Sequence, residues 1–97
     1  MKTYFISRHQ GAIDWIKSQQ IDVDQFVDHL DMDMVKQGDT VIGTLPIHLA
    51  AQVCKKGAKF YFLSVNVTKE QRGRELNKNE LVKQECKLQQ FMIKEIV

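Results

Sequence analysis

No stretch of this sequence is apolar for long enough to cross a membrane. Its longest apolar runs, such as Phe60-Tyr61-Phe62-Leu63, fall far short of the roughly 20 residues a spanning helix needs. The amino-terminal segment carries Lys2 but no apolar core and no small-residue cleavage site, so no secretion signal is read there. There are only two cysteines, Cys54 and Cys86, and neither has a second Cys or a His at zinc-ligand spacing. The expectation is a cytoplasmic chain in a reducing compartment, with both thiols free in the core and no structural metal. No G-x-G-x-x-G and no G-x-x-x-x-G-K-[ST] occurs, which disfavours dinucleotide cofactors and P-loop hydrolysis. No tight carboxylate cluster points to a two-metal nuclease, and no cofactor is implied. No linker, low-complexity tract or long repeat divides the chain.

What is present is ordinary in bulk. The 97 residues are 43% hydrophobic and 27% charged, enough for one modest core and one domain spanning residues 1–97. The net charge of +2 hides an asymmetry. Residues 1–50 carry seven Asp against four Lys or Arg, whereas residues 51–97 carry ten Lys or Arg against five Glu. The excess is too small for a protein that coats long nucleic acid. A compact phosphorylated ligand suits it better, and a merely solvated surface suits it as well.

The pattern of residues predicts strands alternating with helices. Lys2 to Ile6 reads as a first strand and Ala12 to Gln20 as a helix with Ala12, Ile13 and Ile16 on one face. A second strand is expected around Phe26 and Val27, then a short helical turn from Asp31 to Gly38. Asp39 to Gly43 reads as a third strand. Thr44 is placed to cap a helix that tolerates Pro46 in its first turn and stops at Gly57. Leu49, Ala50 and Val53 face its core side; His48, Gln52 and Lys56 face outward. Lys59 to Val65 is the fourth strand. Glu80 to Ile96 could form one long helix, with Leu81, Leu88, Met92 and Ile96 on one face. The preferred reading is a short helix over 78–86 and a last strand over 91–96. The fold expected is α/β: a single Rossmann-like three-layer domain on a mainly parallel sheet of four to five strands.

In such sheets ligands bind beyond the carboxyl ends of the strands, where strand order reverses. The first and third strands should flank that crevice. Their exit loops are Ser7-Arg8-His9-Gln10-Gly11 and Gly43-Thr44-Leu45-Pro46, and both lead directly into helices, whose amino ends favour anions. Arg8 offers a planar fork for phosphate, and His9 can move a proton near neutral pH. Gly11 and Gly43 would let a ligand approach the backbone. Arg72, Arg74 and Glu75, beyond the fourth strand, could fold over a bound ligand. Each has a plainer reading: Arg8 paired with an Asp, His9 exposed in a loop, Gly43 to Pro46 a turn and a cap, Arg72 to Glu75 a solvated loop. His29, beside Asp28 and Asp31, could take a metal or catalytic role, but the preferred reading is an ordinary surface histidine. Trp15 reads as partly buried rather than as a base-stacking platform.

Tyr4-Phe5-Ile6-Ser7-Arg8-His9-Gln10-Gly11-Ala12 with Trp15, then Asp39 to Pro46 with His48-Leu49-Ala50-Ala51, then Phe60-Tyr61-Phe62-Leu63 and Arg72-Gly73-Arg74-Glu75-Leu76, resemble in order the small CRISPR-associated accessory proteins of type III systems. The resemblance covers nearly the whole chain. It implies a fold related to the CRISPR-associated Rossmann fold, a homodimer, and a metal-independent ring nuclease acting on cyclic oligoadenylate, cyclic tetra-adenylate first. On the motifs of this sequence Ser7, Arg8 and His9 are the candidate catalytic residues, with Gln10, Gly11, Gly43, Thr44, Leu45, Pro46, Arg72, Arg74 and Glu75 binding substrate. A module that binds the cyclic nucleotide without cutting it is the alternative.

Overall fold

The computed structural model describes residues 1–64 and 87–97. Along the chain come β1 (Thr3–Ile6), α1 (Gln10–Ser18), β2 (Gln25–Val27), a single 3-10 turn (Met32–Met34), β3 (Thr40–Gly43), α2 (Ile47–Lys55), β4 (Lys59–Ser64) and β5 (Lys87–Phe91). The five strands form one sheet in the order β2-β1-β3-β4-β5. β2, β1, β3 and β4 run parallel to one another. β5 runs antiparallel to β4, with Phe60 opposite Phe91 and Ser64 opposite Lys87.

Alternation along each strand sends neighbouring side chains to opposite faces, and each face has its own core. Tyr4, Ile6, Val41 and Phe60 pack with Ala50 and Val53 of α2. Phe5, Ile42 and Leu63 pack with Ala12, Trp15 and Ile16 of α1. One helix therefore covers each face. Phe5, Ile16, Val41 and Val53 are fully excluded from solvent, one strand residue and one helix residue for each core. Trp15 is only 6% exposed, which places its ring in the core and not on a ligand platform.

Gly57, at a φ of 84°, closes α2. The Gly57 N–H donates to Cys54 O (3.0 Å) and the Ala58 N–H to Val53 O (3.3 Å), the paired bonds of a Schellman motif. At the opposite edge of the sheet from the candidate loops, the buried Asp39 carboxylate accepts the Lys2 and Lys36 N–H groups, at 2.9 Å each. These bonds, Lys2 first, hold its carboxyl below the usual value of 3.8, while burial pushes the other way.

Three expectations change. Thr44 does not cap α2: Pro46 occupies the cap position, with no side-chain cap bond. The last strand is Lys87–Phe91, ending where it was expected to begin, and Met92 to Val97 is neither strand nor helix. The contact that draws this segment in is a thiol: Cys54 Sγ, on half-buried α2, accepts from the Ile93 N–H at 3.4 Å and lies 3.8 Å from Phe91 O. A hydrophobic period cannot report such a contact. Finally, the helical turn before Gly38 is a single 3-10 turn ending at Met34. The helix expected over 78–86 and Cys86 lie outside the described residues. Among the described residues no helix is long and apolar enough to cross a membrane.

Candidate functional site

The carboxyl ends of β1, β2, β3 and β4 all open on one edge, because these strands are parallel. From β1 the chain turns to β2 on one side, and β3 lies on the other. Strand order thus reverses between β1 and β3, where a ligand crevice is expected. The register sets Ile6 opposite Gly43, so Ser7-Arg8-His9 and Thr44-Leu45-Pro46 leave the sheet side by side, as the sequence led us to expect.

Ser7 builds the first turn. Its N–H donates to Val27 O at 3.0 Å, extending the ladder to β2 by one rung. Its Oγ accepts the His9 N–H at 3.1 Å, a local bond of the kind that lets serine shape turns. His9 is the cap residue of α1: its carbonyl accepts from Ala12 (3.1 Å) and Ile13 (3.2 Å), while its exposed imidazole makes no cap bond. Gln10 sends its side-chain N–H to Asp14 Oδ1 at 2.9 Å, along the helix. Gly11 is buried in the first turn of α1.

Arg8 is exposed and has no carboxylate partner among the described residues. Its Nη2 lies 2.8 Å from Nε2 and 3.2 Å from Nδ1 of His29. The plain reading of Arg8, a pair with an aspartate, is therefore not what the structure contains. His29 is the residue that sequence reasoning set aside. The signal that would have found it is topological. β2 pairs in parallel with β1, so the residues just beyond each strand must meet at the same edge.

The second loop is more structural than expected. The Thr44 hydroxyl donates to Leu63 O at 3.0 Å, tying the β3 exit to β4, so its proton is already committed. Leu45 is half-buried against the core on the α2 face. Pro46 is exposed, and its carbonyl accepts the Leu49 and Ala50 N–H groups at 3.0 Å each. Gly43 serves the sheet: a Cβ there would stand 2.7 Å from the Ile6 carbonyl oxygen. His48, in the first turn of α2, is exposed. Arg72, Arg74 and Glu75 lie outside the described residues. Among the described residues no three His, Cys, Asp or Glu side chains gather into a group that could hold a metal ion.

Chemically, this edge presents a guanidinium with no acid to neutralise it among the described residues, one imidazole held against it and a second at the start of α1. Such a set can grip an anion and move a proton.

A family model described as "Putative CRISPR-associated protein (Cas_VVA1548)" matches residues 4–94, a span that contains every candidate loop. No curated protein matches the chain, and no solved structure does.

Proposed function

The chain belongs to this CRISPR-associated family, and from that premise we propose that it is a ring nuclease that opens cyclic oligoadenylate, with cyclic tetra-adenylate the favoured ring. The observation that carries the proposal is Arg8: a guanidinium without a carboxylate partner among the described residues, beyond the carboxyl end of β1, next to His9 at the start of α1. A ligand of repeated phosphodiesters is the complement of such a site. The resemblance to type III accessory proteins narrows that ligand to the cyclic adenylates. With a helix on each face of the sheet, the domain is read as a small Rossmann-like layer structure. It works as a homodimer, since a ring with two-fold symmetry takes the same loops from each subunit.

In the proposed reaction a ribose 2′-oxygen attacks the neighbouring phosphorus. The bond from phosphorus to the 2′-oxygen forms, and the bond to the 5′-oxygen breaks. The products are a 2′,3′-cyclic phosphate and a free 5′-hydroxyl, so one proton leaves the 2′-oxygen and one reaches the 5′-oxygen. His9 takes the first or gives the second. Arg8 and the amino end of α1 stabilise the charge that grows on the phosphoryl oxygens. The nucleophile belongs to the substrate, so the scheme asks for no metal. The protein's largest task is holding the two oxygens in line, which in favourable cases is worth about 7–11 kcal/mol.

The test is to incubate the protein with labelled cyclic tetra-adenylate, with and without chelator, and to identify the products. Linear adenylate ending in a 2′,3′-cyclic phosphate, formed equally in chelator, is the expected result. Intact ring that co-elutes with the protein would make it a binding module. A ring neither bound nor cut would overturn the proposal.

A further inference from the structure

We infer that Arg8 and His29 together form a phosphate clamp that closes with uptake of a proton. The inference rests on the nucleotide-site reading above and adds to it a second cation, from a different loop.

The geometry sets the argument. Arg8 Nη2 lies 2.8 Å from Nε2 and 3.2 Å from Nδ1 of His29, so one guanidinium nitrogen stands against both ring nitrogens at once. A guanidinium has donors only, and an imidazole accepts at one nitrogen and only while neutral. A protonated ring would set a like charge, and no acceptor, beside Arg8. An anionic oxygen between them reverses this conflict, since it accepts from the guanidinium and from the ring N–H alike. When the ring carries a proton, the two groups repel without an anion and are bridged by one.

The sheet holds the two groups in place. Arg8 follows β1 and His29 follows β2, the two strands pair in parallel, and the Ser7 N–H to Val27 O bond locks their exits one residue further. Other titratable groups stand in the same two loops. His9 stands on the β1 exit with Arg8. Asp28 and Asp31 flank His29 in its own loop, and the Asp31 carboxylate accepts the Asp33 N–H at 3.0 Å. Those carboxylates are present with and without ligand, so they cannot couple ligand to proton. An anion in contact with the ring does couple them. If it prefers the protonated ring, protons must by reciprocity promote its binding.

A rival role has a different signature. If His29 only restrains Arg8, removing it frees the guanidinium, and His29→Ala binds anions better than the parent near neutral pH. If His29 is half of a clamp, His29→Ala binds worse at acid pH.

The experiment uses inorganic sulfate, which does not titrate across the histidine range of about pH 5–8, with ionic strength held constant by chloride. Binding is followed by NMR on the full chain. Sulfate affinity of the parent should rise as pH falls. His29→Ala should lose that dependence and bind about ten-fold more weakly at the acid end, the effect of one charge-assisted hydrogen bond. Both positions are exposed, so melting curves should match the parent's. A pH dependence that survives in His29→Ala, tighter binding by that variant, or no sulfate bound at Arg8 overturns the clamp.

A second arm uses calorimetry with cyclic tetra-adenylate and His9→Ala. Proton uptake approaching one per clamp, abolished when His29→Ala is added, supports the inference. Ring binding without that uptake sinks the clamp and leaves the proposed function standing. A sulfate clamp that ignores the ring sinks the proposed function and leaves the clamp.

Discussion

The Cβ that Gly43 lacks would stand 2.7 Å from the carbonyl oxygen of Ile6 and 3.2 Å from its Cβ. Real Cβ atoms do not come so near a backbone oxygen, and neither strand can retreat, since Ile6 and Gly43 are register partners in the middle of the sheet. The backbone φ of 156° at Gly43 adds to the constraint. Gly43→Ala should therefore destabilise the fold by about 1–3 kcal/mol, the usual range for a forced insertion. Urea unfolding measures it. A variant as stable as the parent would mean that β1 and β3 can separate at this rung without loss.

Asp39 makes stability depend on acid. Its carboxyl is held low by the Lys2 and Lys36 N–H groups, so its folded value lies below the 3.8 of the free side chain. The unfolded chain then takes up the proton first. The contribution is complete above about pH 3.8, falls as pH drops below that, and is gone once the folded carboxyl is protonated as well. Asp39→Asn keeps one acceptor and loses the charge. It should cost about 1–3 kcal/mol at neutral pH, and its stability should decline less steeply in acid. Urea midpoints compared down the acid range would show it, and parallel slopes for parent and variant would remove Asp39 from the account.

Much of this was legible from residues alone, for identifiable reasons. Tyr4-Phe5-Ile6 and Val41-Ile42 are strands because aromatic and β-branched residues alternate between two cores, and that alternation is local. The adjacency of the β1 and β3 exits followed from the alternating order of elements. Gly43 was legible as a special position, but not its reason. A glycine that admits a ligand and one that admits a neighbouring strand look the same until the register is known. The bond from Thr44 to Leu63 and the contact of Arg8 with His29 join residues 19 and 21 positions apart. Neither could be read before strand pairing placed their loops together. β5 ends at Phe91 because of its antiparallel pairing to β4 and the grip of Cys54 on Ile93, which no periodicity encodes.

Thr44 should act on stability first. Its hydroxyl donates to Leu63 O at 3.0 Å and ties the loop after β3 to the end of β4. Thr44→Val preserves shape and removes the donor, which should cost about 1 kcal/mol and lower the melting temperature by roughly 4–8 °C in a domain this small. Thr44→Ser should restore most of it. Equal melting curves for all three would show that the Leu63 carbonyl finds water as good a partner.

His9 is the place where binding and turnover should separate. Its backbone starts α1 through bonds from Ala12 and Ile13 that any residue could accept, and its imidazole makes no cap bond. Replacing the ring should therefore leave the helix, and the Arg8 grip, in place. On the proposed scheme His9→Ala loses only proton transfer, a contribution of about 10²–10⁴-fold. Turnover of cyclic tetra-adenylate should fall by that factor while the dissociation constant stays within a few-fold of the parent's. Arg8→Ala, by contrast, should weaken both, because the guanidinium meets the phosphate before and during the reaction. Single-turnover rates beside equilibrium binding resolve the two quantities. Parent-like cleavage by His9→Ala would move the proton transfer to another group at this edge, with His48 and His29 the first to examine.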